Sequence, residues 1–77
     1  MMHPDILTIK DHICNHLGEV RSLDEWVMEC NSILPDKRRR TPRQMGQIFK
    51  ILRMKGMVQV ERKSFPVIYT FHGINSA

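Results

Sequence analysis

Thr41 to Val60 reads TPRQMGQIFKILRMKGMVQV, and the spacing of its apolar residues changes once, at Gly56. Before that glycine, Met45, Ile48, Phe49 and Leu52 recur at three- and four-residue steps, which lines one face of an α-helix. Thr41-Pro42-Arg43-Gln44 supplies the start: a threonine N-cap, a proline at the first helical position, and a glutamine able to reach back to the cap. Gly56 suits a left-handed C-terminal cap. Beyond it, Val58 and Val60 alternate with Gln59 and Glu61, the two-residue period of a half-buried strand. These residues therefore encode a capped helix that runs directly into a strand.

Downstream, Arg62-Lys63-Ser64 is polar and turn-like, and Phe65 to Phe71 is β-branched and aromatic. The pattern predicts an antiparallel hairpin with Tyr69 opposite Val60, Phe71 opposite Val58, and Arg62 and Lys63 at its tip. Pro66 is tolerated at that tip or near the start of an edge strand. Residues 73–77 read as a frayed tail.

Upstream, Ile6, Ile9, Ile13 and Leu17 predict a first helix from Asp5 to Leu17, opened by Pro4 and Asp5 and closed by Gly18. Leu7 and Cys14 widen its core face. Glu19-Val20-Arg21 leaves room only for a brief extended link. Ser22-Leu23-Asp24-Glu25 is a second capping box, followed by Leu23, Trp26, Val27, Cys30, Ile33 and Leu34 on one face. Pro35 stops that second helix.

The chain's 77 residues suit a single domain, 1–77, with an ordered core at about 5–72. Hydrophobic content of 42% and charged content of 26% are those of a folded chain, not a disordered one. So small a core leaves little room for an enzyme pocket. No apolar run approaches the roughly 18 residues of a membrane helix, so no membrane partner is expected. Asp5, Lys10, Asp11, His12 and Glu19 interrupt any signal-like apolar stretch, so the protein is expected in the cytoplasm (nucleoid-associated) or the nucleus, not secreted. Cys14 and Cys30 are read as reduced packing residues.

Charge is divided at one point, between Asp36 and Lys37. Residues 1–36 carry seven acidic against two basic side chains, a net −5, and residues 37–77 carry ten basic against one acidic, a net +9. A basic half that opens with Lys37-Arg38-Arg39-Arg40, just before a capped helix, implies a polyanion-binding face. At 100° per residue, Arg43, Gln47 and Lys50 project away from the apolar stripe of the third helix, with Gln44 and Arg53 on its flanks. Gly46, inside that helix, is expected to serve close packing against the second helix.

Competing chemistries find little support in the residues. His12 and His16 share a helix face at metal-ligand spacing, but Cys14 points roughly opposite and no carboxylate-rich motif follows. No metal and no cofactor are expected. There is no phosphate-cradling glycine loop, nucleophile elbow or paired acid motif, so the chain is not read as an enzyme.

The order helix, short extended link, helix, basic loop, helix and hairpin resembles the winged helix-turn-helix superfamily over about residues 5–72, most specifically from Thr41 to Val60. The resemblance implies an α+β fold, a small winged helix: a three-helix helix-turn-helix core followed by a C-terminal β-hairpin wing. It also implies a DNA-binding module, a small transcriptional regulator that inserts its third helix in the major groove with the wing on the adjacent backbone. The alternative it allows is a protein-docking winged helix within a larger replication or transcription assembly. The residues expected to meet double-stranded DNA are Lys37, Arg38, Arg39, Arg40, Thr41, Arg43, Gln44, Gln47, Lys50, Arg53, Arg62 and Lys63. A homodimer is compatible, with Leu7, Cys14, Met28 and the hairpin edge as candidate contacts.

Overall fold

The computed structural model describes residues 3–64 and 67–73. In chain order these form α1 (Pro4–Cys14), β1 (Val20–Ser22), α2 (Leu23–Ser32), a short 3-10 turn (Asp36–Arg38), α3 (Pro42–Met54), β2 (Gln59–Ser64) and β3 (Val67–His72). The fold is α+β: three helices and a three-stranded antiparallel sheet in the order β1-β3-β2.

α3 begins as its first residues dictate. The Gln44 amide donates to the Thr41 hydroxyl at 3.2 Å, and the Thr41 amide donates to Gln44 Oε1 at 3.0 Å, closing both halves of the box. Gly56 takes a positive φ of 72°, the left-handed geometry that releases the chain toward β2. Ser22 caps α2 only by half. Its hydroxyl accepts from the Glu25 amide at 3.2 Å and donates to the Glu25 carboxylate at 3.1 Å. The reciprocal bond to the Ser22 amide is not made, because Ser22 is also the last residue of β1.

The core is built from the inward stripes of all three helices and from Val58 and Phe71. Trp26 sits at its centre, fully buried, with its ring edge-on to Phe71 at 4.8 Å. Its Nε1 donates to the Tyr69 carbonyl at 2.9 Å, tying α2 to β3. Phe71 in turn meets Phe49 of α3 at 5.1 Å, so one aromatic chain joins α2, sheet and α3.

Several expectations are corrected here. The extended link enters the sheet: β1 pairs with β3, with Val20 opposite Thr70 and Ser22 opposite Ile68. The hairpin register is shifted by two residues, with Val60 opposite Phe71 and Arg62 opposite Tyr69. A two-residue shift leaves every side chain on its expected face, and β-branched Val67 and Ile68 extend the ladder to Ser64 and Lys63. Arg62 and Lys63 therefore belong to β2 rather than to a turn. The expected place of Pro66 lies outside the described residues.

The remaining corrections concern helix ends and faces. α1 ends at Cys14, three residues early, in a turn where the His16 amide donates to the Ile13 carbonyl at 2.9 Å. The Gly18 amide then donates to the Phe71 carbonyl at 2.8 Å, turning the chain onto the sheet. Leu17 consequently leaves the core face and is 39% exposed. Leu7 and Cys14 lie exposed on the outer side of α1 rather than widening its core face, and Ile33, beyond the end of α2, is exposed too. Cys30 does pack in the core, where burial pushes its thiol up to about 12. The expected tail at 73–77 lies, apart from Gly73, outside the described residues.

Candidate nucleic-acid interface

The cationic run before α3 does not act as one block. Asn31 of α2 clamps the Arg40 peptide, its amide nitrogen donating to the Arg40 carbonyl and its oxygen accepting from the Arg40 amide, both at 2.8 Å. From that fixed point Arg40 Nη1 reaches Asp5 Oδ2 at 3.1 Å, and Arg38 Nε meets the same oxygen at 3.1 Å. Asp5 is buried, at the start of α1. The guanidinium of Arg39 pairs with Asp36 at 3.0 Å, both side chains exposed. Lys37 is exposed and has no carboxylate partner among the described residues. Of the four cations, two thus hold the loop to the body of the fold, and Lys37 and Arg39 are turned outward.

α3 carries the next set. Arg43, Gln44, Gln47, Lys50 and Arg53 are all exposed, while Met45, Ile48, Phe49 and Leu52 are buried. The Gln44 carbonyl oxygen is occupied by the cap. Arg62 and Lys63 are neighbours in a strand, so their side chains go to opposite faces of the sheet. Arg62 shares the face of Val60, and its guanidinium lies over the Tyr69 ring at 5.9 Å. Lys63 shares the other face with Glu61, whose carboxylate lies 3.6 Å from His72.

Between α3 and the hairpin runs a groove of about 330 Å³. Gly46, Lys50 and Arg53 line one side, Val60, Arg62 and Tyr69 the other, and Phe49 its base. No carboxylate among the described residues lines it. The expectation that Gly46 serves packing against α2 is corrected: a Cβ built there meets nothing within 4 Å. Its missing side chain opens the groove instead.

No family model, curated protein or solved structure matches this chain. Among the described residues no helix is long and apolar enough to cross a membrane.

Of the residues read from the sequence, Lys50, Arg53 and Arg62 come together in the groove, Arg43 and Gln47 stand on the outward face of α3, and Lys37 and Arg39 precede it. Arg38 and Arg40 are tied to the Asp5 carboxylate, Thr41 and Gln44 are engaged in the cap, and Lys63 faces away. Tyr69 and Asp5 also take part, and the sequence alone does not single them out. Tyr69 lies in a β-branched and aromatic run that reads as core, and Asp5 reads simply as a helix-start acid.

A second charged cluster lies on the acidic side. Arg21 bridges Glu19 and Glu29 and stacks on Trp26 at 4.9 Å. His16 Nδ1 is 2.7 Å from Glu19, and the His12 ring lies 4.7 Å from that of His16. His12 Nε2 is covered, 3.5 Å from Glu29 Oε2, with no hydrogen-bond partner among the described residues. Among those residues no group of three or more His, Cys, Asp or Glu side chains is placed to hold a metal ion. Burial foremost, then the neighbouring His16 and Arg21, hold His12 below its ordinary value against the opposing pull of Glu19.

The unfolded chain therefore takes up this proton near pH 6.5 while the folded chain resists it. Stability is full above about pH 6.5 and falls as pH drops from there to the lower folded value of His12. His12→Gln is expected to flatten urea-denaturation stability across that window. A further loss at more acid pH should persist in the variant, because hydrogen bonds from Arg21 and His16 hold the Glu19 carboxyl below its ordinary value. A wild-type profile already flat below pH 6.5 contradicts this account.

Proposed function

We propose that this chain is a DNA-binding module of winged helix-turn-helix type, a small transcriptional regulator. α3 enters the major groove of a duplex, and the β2–β3 hairpin lies along the adjacent backbone. The observation that carries this reading is the exposed side of α3. It presents Arg43, Gln47, Lys50 and Arg53, and no acidic residue occurs from Lys37 to Val60. The element order and the placement of a hairpin beside this helix support the same reading.

A helix about 10–12 Å across fits the major groove of B-DNA. Arg43 can donate to guanine O6 and N7, and Gln47 can pair with the N6 and N7 edge of adenine. Lys37 and Arg39 lie just before the α3 N-terminus, where phosphates would also meet its free amides. Their role is affinity and register, not sequence. The acidic helices α1 and α2 form the scaffold and repel the same backbone.

Fluorescence anisotropy on random and selected duplexes, repeated over a salt series, tests this. Each phosphate contact should steepen log affinity against log salt by roughly −0.9. Gln47→Ala is expected to cost about 1–3 kcal/mol on a preferred site and little elsewhere. The double variant Lys37→Gln/Arg39→Gln should weaken all duplexes alike and leave the Asp5 pairs intact. No duplex binding even at low salt sinks the proposal and leaves a protein-docking module as the better account.

A further inference from the structure

We propose that the groove between α3 and the β2–β3 hairpin is a phosphate seat, filled by one backbone phosphodiester of the bound nucleic acid. This rests on the nucleic-acid reading above and names the group that this part of the surface takes.

The pairing of the arginines is the first argument. Arg21, Arg38, Arg39 and Arg40 each have a carboxylate within 4 Å. Lys50, Arg53 and Arg62, which converge on the groove from a helix and a strand, have none among the described residues. Three like charges around one cavity repel one another, and an anion placed among them relieves that repulsion. Arg62 is also directed by the Tyr69 ring beneath it, and its planar fork suits two phosphate oxygens at once.

Gly46 is the second argument, independent of charge. A glycine inside a helix costs about 1 kcal/mol relative to alanine. Here no packing contact repays that cost, since a Cβ would stand in open space. What the absent side chain provides is depth to the groove. Its wall is mixed: the three cations suit a phosphate, while Val60 and the ring of Tyr69 suit the carbon face of the adjoining sugar. That mixture favours a phosphodiester over a bare inorganic ion.

Two variants test the seat by different routes. Arg62→Gln removes one charge; Gly46→Leu removes none but fills the space with a better helix former. Duplex binding by anisotropy over a salt series should show both about tenfold weaker than wild type on every sequence. The salt slope of Arg62→Gln should be less negative by about 1. Gly46→Leu should melt no lower than wild type, which separates lost binding from lost fold. In a scan of single methylphosphonates, one neutralised position should weaken wild type and leave both variants unchanged.

If wild type binds duplex and both variants keep its affinity and slope, the seat is wrong and the functional reading stands. If wild type binds no duplex, inorganic phosphate and adenosine monophosphate are titrated while backbone amide shifts are followed. Shifts at Gly46 and Arg62 that vanish in Arg62→Gln then retain the seat for a free phosphate and discard the duplex. Absence of such shifts overturns both.

Discussion

Trp26→Ala is expected to remove about 3–5 kcal/mol of folding stability, the range for truncating a fully buried aromatic. A chain of 77 residues, at roughly 0.05–0.15 kcal/mol per residue, has only about 4–12 kcal/mol in all. The melting temperature should fall by about 15–30 °C, a loss that consumes a large share of the total stability. The indole fills the centre of the core, and it is the side chain that joins α2 to β3 through Phe71 and the Tyr69 carbonyl. Trp26→Phe keeps most of the apolar contact but removes the Nε1 donor, and should cost about 1–2 kcal/mol. The measurement is far-UV circular dichroism, because the chain has one tryptophan and the variants lose its fluorescence. Equal melting of Trp26→Ala and Trp26→Phe contradicts this account of the core.

That joint bears directly on the candidate interface. Tyr69, whose carbonyl receives the Trp26 bond, carries on its ring the guanidinium of Arg62. Phe49 lies both in the aromatic chain and at the base of the groove. The packing that stabilises the domain is therefore the packing that sets the distance between α3 and the hairpin. A binding defect in any core variant needs a melting curve beside it before it is assigned to contact with nucleic acid.

The parts of this fold that were legible in the sequence obey local rules. Thr41, Pro42 and Gln44 define the start of α3 whatever surrounds them, and the three- and four-residue steps of Met45, Ile48, Phe49 and Leu52 choose its buried face. β1 obeys no such rule. Val20, Arg21 and Ser22 show no usable alternation, and they form a strand because β3 offers them a free edge. The hairpin offset was ambiguous for a related reason. Alternation decides which side chains share a face, and registers two residues apart satisfy it equally. Leu7, Cys14 and Leu17 are exposed despite their apolar spacing, because an apolar step on a helix does not reveal how much core the domain can offer it.

The candidate interface is partly legible in the same sense. Charge along the chain located the basic half, and helical geometry turned Arg43, Gln47, Lys50 and Arg53 outward. Whether a given arginine is available depends on partners distant in sequence. Arg40 is committed to a carboxylate 35 residues away and to an asparagine nine residues away. Arg62 joined the groove because its strand extends further than its polar neighbours suggest. The four-cation run therefore overstated the free charge before α3, and the hairpin strand understated its share.

Asp5→Ala is expected to lower stability and raise duplex affinity at once. The carboxylate is 4% exposed and holds Arg38 and Arg40, each at 3.1 Å. Removing one partner of a buried ion pair costs about 3–5 kcal/mol. Here the stranded guanidiniums regain water, since the Arg40 side chain is already 22% exposed and that of Arg38 54%. The cost should therefore be nearer 2 kcal/mol, a fall of roughly 10 °C in melting temperature. The same substitution raises the net charge by one and releases two guanidiniums beside the α3 N-terminus, so affinity for random duplex should increase and its salt slope should steepen. Arg40→Met in the Asp5→Ala background should recover part of the stability, because no charge is then left facing an empty site. Melting curves and anisotropy in one buffer read both effects. Duplex affinity that falls with stability shows that the buried pairs position the interface, and that the arginines they hold are not a masked reserve of charge.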